Sequence, residues 1–177
     1  VKRIIMHWTA GWGVASNLDR EHYHAIVEGD GNVVYGRFRP EDNESTATTY
    51  AAHTRGLNTG SIGLAMAGMV GATEKPFYRG KSPINMTQLT TFADIVAEMA
   101  LTYDIPVTRR TVLTHAEVEP TLGVWQRGKW DINWLPGENA PLDPIEAGDR
   151  LRSLVKLSQL VMAKKSIKTR IIERLVA

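Results

Sequence analysis

The chain has 177 residues, 43% of them hydrophobic and 23% charged, a balance that suits one globular domain with a core and excludes a disordered chain. It contains no cysteine, so a disulfide framework and any thiolate metal site are excluded, and a metal would have to be held by His, Asp or Glu. The net charge of +2 is unevenly spread: residues 150–177 hold eight Lys and Arg against Glu173 alone, a net +7, which leaves −5 for the remainder.

The opening run, residues 3–7, is short and apolar and reads as a buried strand ending at His7, not as a secretory leader. Thr9, Ala10, Gly11, Trp12 and Gly13 have loop composition. Residues 23–28 and 33–37 read as two strands joined by Gly29-Asp30-Gly31-Asn32, a strong hairpin signal because Asp and Gly tolerate positive φ. Residues 40–60 read as a polar loop. Residues 62–68 read as a central strand whose small side chains let another group pack closely on it.

After a Pro- and Gly-bearing loop, Thr87 is expected to cap a helix running to about Tyr103. Leu89, Phe92, Ile95, Val96 and Met99 would form its apolar face. Residues 111–114 read as a short strand ending at His115, and residues 119–142 as a long ordered loop rich in Gly, Pro and Trp. From about Pro144 the pattern is helical, with Leu151, Leu154 and Val155 on one face. A second amphipathic segment carries Ile167, Ile171, Ile172 and Leu175 opposite its cations. The expected class is α/β, a single mixed central β-sheet flanked by helices. Residues 1–143 form the core and residues 144–177 a helical segment with a basic end.

His7 and His115 both fall at the ends of predicted strands, where sites of α/β folds usually lie. Lys129 and Asp131 stand two apart on an extended segment, so their side chains point the same way. Two imidazoles and a carboxylate are a common ligand set for catalytic zinc. A single histidine at a strand end is more often a core residue than a ligand, so spacing alone leaves both readings open. Glu117 and Glu119, two and four residues after His115, are rival bases, and Glu117 could instead orient a ligand imidazole. His24 reads as a core histidine and His22 as a surface one. Trp8, Trp130 and Trp134 could stack on sugar faces or simply fill the core.

The segments IIMHWTAG, YHAIVEGDGNVVYGR, AAHTRGLNTGSIGLAMAG and LTHAEVEP followed by KWDI occur in this order. Together they resemble the zinc-dependent N-acetylmuramoyl-L-alanine amidase family, which includes phage endolysins, cytosolic anhydro-muropeptide amidases and peptidoglycan recognition proteins. The resemblance runs from about Ile4 to Asp131. It implies Zn2+ as cofactor, held by His7, His115 and Asp131, with Lys129 and Tyr23 in catalysis. His53, Asn58, Trp8 and Trp130 would line the substrate groove.

Some relatives carry a catalytic Glu where this chain has Ala65, so it is more similar to the tyrosine-using branch. In that role Tyr23 would orient a water or shuttle a proton, its pKa lowered by nearby cations. The stretch between His7 and Tyr23 is short and holds Gly11 and Gly13, where phage relatives often place a helix. Residues 121–128 look inserted, and Trp125 among them could cover the substrate or be packed.

The implied activity is hydrolysis of the amide between N-acetylmuramic acid and L-alanine in peptidoglycan by zinc-activated water. The expected setting is a monomeric phage or prophage endolysin, made in the host bacterial cytoplasm and acting on the periplasmic wall. The alternatives are a non-catalytic peptidoglycan-binding module and a cytosolic muropeptide-recycling amidase. The basic end suggests contact with an anionic outer membrane or lipid. Nucleic acid is not expected, because the body is acidic and carries no nucleic-acid motif.

Overall fold

The computed structural model describes the backbone of residues 1–176 and the side chains of residues 1–166 and 168. The second amphipathic segment expected around Ile167, Ile171, Ile172 and Leu175 lies outside the described side chains.

Five strands form one mixed sheet in the order β3-β2-β4-β1-β5. They are β1 (Arg3–Trp8), β2 (Ala25–Val27), β3 (Val33–Tyr35), β4 (Ser61–Met66) and β5 (Val112–Thr114). β1 runs parallel to β4 and to β5, β2 runs parallel to β4, and only the β2–β3 hairpin is antiparallel. The hairpin turns at Gly31 (φ 91°), with Asp30 accepting the Asn32 N–H. The register pairs Met6 with Thr114, so His7 and His115 leave neighbouring parallel strands at the same level.

β1 is buried on both faces, as a central parallel strand must be. Ile4, Met6 and Trp8 face the main core, which α2 (Met86–Thr102) and α4 (Pro144–Val176) cover with Phe92, Val96, Leu151 and Val155. Ile5 faces the other way, onto Leu113 of β5 and Val118 of α3 (His115–Leu122). His7 shares that second face by alternation.

Several boundaries differ from the sequence expectation, most of them where a capping side chain sets the start of a helix. α2 starts two residues earlier than Thr87 implied. Its cap is Asn85, whose side chain accepts the Gln88 N–H while Gln88 reaches back to the Asn85 N–H. Gln88 is buried and also donates to the Val27 and Ala67 carbonyls, joining the helix to two strand ends. Residues 23–28 are not one strand. Ser16 and Asp19 form a capping box that starts a short helix, α1 (Asn17–His22), and Tyr23 is its C-cap. His22 therefore ends a helix.

The polar stretch 40–60 contains a 3-10 helix at Pro40–Glu44. The loop read as 119–142 begins later, because α3 continues to Leu122. Of the charges credited to the basic end, two belong to the body. Arg152 is buried and pairs with Glu117 and Asp149, and Arg150 pairs with Glu138 and Glu146.

Candidate metal centre and cleft

His115 owes its position to the first turn of α3. Thr114 caps that helix by accepting the Glu117 N–H, and the Glu117 carboxylate accepts the Thr114 N–H at 2.8 Å. Glu117 is therefore neither a base nor the partner of an imidazole. Fully buried, it takes two hydrogen bonds of 2.7 and 2.9 Å from Arg152 of α4, which also donates to the Val112 carbonyl. Gly148 makes room for this, since a Cβ there would lie 1.9 Å from the Glu117 carboxylate. Glu119, the other rival base, is exposed and accepts the backbone N–H of Gln126.

Asp131 is carried by the loop after α3. Its carbonyl accepts the Ala116 N–H at 2.6 Å, and buried Ile132 and Trp134 anchor the chain that follows. Its Oδ2 atom lies 3.1 Å from His7 Nδ1 and 3.1 Å from His115 Nδ1. One donor atom from each of the three residues falls within 4.8 Å of the others, and all three side chains are buried.

The proton positions follow from the outer ring nitrogens. Gln126 donates its amide to the Arg55 and Val124 carbonyls, so its Oε1 faces His115 Nε2, 2.9 Å away, and accepts from it. Along the other arm, the Ser61 carbonyl faces His53 Nε2, leaving His53 Nδ1 to accept from His7 Nε2 at 3.2 Å. Thr54 Oγ1 lies 2.8 Å from the same His53 nitrogen. Both Nδ1 lone pairs therefore converge on a carboxylate oxygen. Three acceptors at such distances require a cation or shared protons between them. Ligands about 2.0–2.1 Å from a tetrahedral zinc lie roughly 3.3 Å apart, close to the 3.1 Å of the two His–Asp pairs. The donor set, its burial and its bonded outer nitrogens fit zinc.

Electrostatics agree with this arrangement. Burial lowers the His7 pKa to about 4, against the pull of Asp131. Burial also opposes the His115 cation, but the charge and hydrogen bond of Asp131, with Gln126, outweigh it and raise the pKa. Burial alone would raise the Asp131 carboxyl, yet the two histidines hold it well below the usual carboxylate range.

His115 and Asp131 line a cleft of about 480 Å³, and His7, only 1% exposed, is bonded to Asp131 there. The cleft lining also contains Tyr23, His53, Asn58, Trp8, Trp130 and Lys129, together with Arg55 and Arg127. Tyr23 packs beside His7, ring centroids 5.2 Å apart, and against the cluster that holds Ala65. Burial, Asp131 and Asp19 push its phenol above the ordinary value, opposite to the lowering expected from the sequence. Asn58 directs its carboxamide oxygen to the N–H groups of His53 and Thr54, so it shapes the turn that carries them. The His53 ring lies against Gly63, where a Cβ would come within 2.4 Å of it.

Trp8 is only 5% exposed and meets half-buried Trp130 edge to face at 4.7 Å. Trp134 lies apart in the core, donating to the Glu138 carbonyl. Trp125 is not packed but 62% exposed, with the Arg127 guanidinium 5.5 Å from its ring. Gln126, unnoticed in the sequence, is 4% exposed. Nothing in a lone Gln within an apparent insertion marks it as the partner of His115.

Comparison with known proteins extends this picture. No curated protein matches the chain by sequence. Among solved structures, the chain is similar to the N-acetylmuramyl-L-alanine amidase AmiD from E. coli, solved with anhydro-N-acetylmuramic acid-L-Ala-D-gamma-Glu-L-Lys. The identity is 18% over 85% of this chain and 57% of that one, with a TM-score of 0.53. It is also similar to the amidase LysC from Clostridium intestinale, at 17% identity over 85% and 84% of the two chains and a TM-score of 0.48. Drosophila peptidoglycan recognition protein SD gives 20% identity, 80% and 85% coverage and a TM-score of 0.44. At these identities the likenesses concern the fold. A sequence model described as N-acetylmuramoyl-L-alanine amidase matches residues 1–138, a span that takes in both histidines, Asp131 and every strand of the sheet, and the chain belongs to that family.

Proposed function

We propose that the protein is a zinc-dependent hydrolase that cleaves the amide between N-acetylmuramic acid and L-alanine in peptidoglycan. The observation that carries this is the convergence of two imidazole lone pairs on the Asp131 carboxylate at the floor of an open cleft. His7 Nδ1, His115 Nδ1 and Asp131 Oδ2 would hold the ion. When bound, zinc supplies Lewis acidity and a nucleophile at neutral pH.

The remaining work falls to the chain's own residues. Lys129, exposed on the cleft wall, places an ammonium where negative charge develops on the carbonyl oxygen, a contribution of about 3–4 kcal/mol for one such donor. The Tyr23 hydroxyl, beside His7, orients the attacking water. Gln126 and His53 hold the two imidazoles in the required tautomer. Trp130 and the turn held by Asn58 bound the groove, and Arg55 and Arg127 add positive charge suited to the carboxylates of a stem peptide.

Ala65 buried against Tyr23 supports the tyrosine-using branch. We therefore place the chain with phage or prophage endolysins, acting as a monomer on the periplasmic wall from the host cytoplasm.

The test is elemental analysis of wild type and Asp131→Ala, with sacculus digestion products followed by mass spectrometry. The expected result is about one zinc per chain, release of intact stem peptides from muramic acid, and loss of both in the variant. A folded wild type that takes up no zinc and cleaves nothing on metal addition would mark a peptidoglycan-binding module. Cuts within the stem peptide would mark a peptidase.

A further inference from the structure

Helix α4 carries two apolar faces. Leu151 and Val155, both 0% exposed, and the partly buried Met162 pack on the body. Leu157, Leu160 and Val161 are 57%, 61% and 43% exposed, and none joins a hydrophobic cluster of the described residues. At 100° per residue these three fall within an arc of roughly 100°, centred about 150° from the packed face. Lys164 and Lys168 lie on the same arc and Lys156 borders it, all three exposed. Beyond Met162, residues 163–166 and 168 are exposed.

The charge of this face is of one sign. No acidic residue occurs between Asp149 and Glu173. Arg150 and Arg152 are held by carboxylates of the body, whereas Lys156, Lys164 and Lys168 have no ion-pair partner among the described residues.

We propose that this outer face of α4 docks on an anionic phospholipid bilayer, lying in the headgroup plane. The three aliphatic side chains would enter the acyl boundary, and the lysines would spread their stems on the apolar surface with the ammonium groups at the phosphates. A second copy of the chain is a poor occupant, because pairing two such faces brings like charges together. A soluble polyanion has use for the lysines but none for the exposed leucines.

The experiment is sedimentation of the full chain with vesicles of phosphatidylglycerol and phosphatidylcholine, and with phosphatidylcholine vesicles alone. The proposal expects salt-sensitive binding to the anionic vesicles only. Lys164→Glu/Lys168→Glu should lower the partition at least about tenfold, and Leu157→Gln/Leu160→Gln should do so comparably, with circular dichroism melts unchanged. Absence of binding by folded wild type would overturn the proposal. So would leucine variants that bind as wild type does, which would mean charge adsorption alone. A stable dimer by gel filtration that the leucine substitutions dissolve, without vesicle binding, would assign the face to self-association.

Discussion

Four histidines stand close together around the cleft, yet they are of two kinds. His24 has both ring nitrogens answered by neutral groups: Nδ1 accepts the Gly63 N–H at 2.9 Å, and Nε2 donates to Asn43 Oδ1 at 3.2 Å. His53 is similar, set between Ser61, Thr54 and His7. His7 and His115 have one nitrogen answered in this way and the other aimed at a carboxylate oxygen they share. A histidine with both nitrogens satisfied is a structural part. A pair with lone pairs turned onto one anion is a binding site waiting for positive charge. Burial does not separate the two kinds, since all four are under 10% exposed.

The contrast can be broken most sharply by exchanging the loss. His115→Ala is expected to abolish zinc binding, measured by elemental analysis after dialysis, while the protein stays folded because a strained cluster of acceptors has been relieved. Retention of a full equivalent of zinc would refute the distinction.

The next effect lies beneath the site. Arg152→Ala leaves Glu117 buried without its cation, and a broken buried pair costs about 3–5 kcal/mol, to be read from urea denaturation. A loss below about 1 kcal/mol would show that α4 does not hold the β5–α3 junction.

The smallest expected effect concerns His24→Gln, which should leave zinc content unchanged and lower stability at pH 7.5 by about 1–3 kcal/mol. Burial lowers the His24 pKa below its ordinary value near 6.5. Its contribution is therefore complete above about pH 6.5 and is lost as pH falls through the folded-state value. The gap between wild type and variant should narrow on acidification. A gap that widens would reverse the assignment.

Much of this was readable before the fold was known, for physical reasons that differ by residue. His7 and His115 terminate apolar runs, and the small side chain of Gly63 signalled a close approach that proved to be the His53 ring. The capping box Thr114-His115-Ala116-Glu117 was equally legible, since a Thr followed three residues later by Glu marks a helix start. Overlooking it turned Glu117 into a candidate base. Arg152 was hidden by its neighbours: within a run of cations, nothing local distinguishes the one that folds inward. Gln126 was hidden by distance, because its partners His115 and Arg55 are 11 and 71 residues away in sequence.

That glutamine has a wider consequence. Its side chain grips the His115 imidazole on one side and the Arg55 backbone on the other, while its own N–H is held by Glu119. The rim segment 123–129, with Trp125, Arg127 and Lys129, and the floor of the cleft are thereby one mechanical unit. Coupling of this kind is reciprocal: whatever steadies His115 also steadies the rim, and a ligand that steadied the rim would steady the floor beneath it.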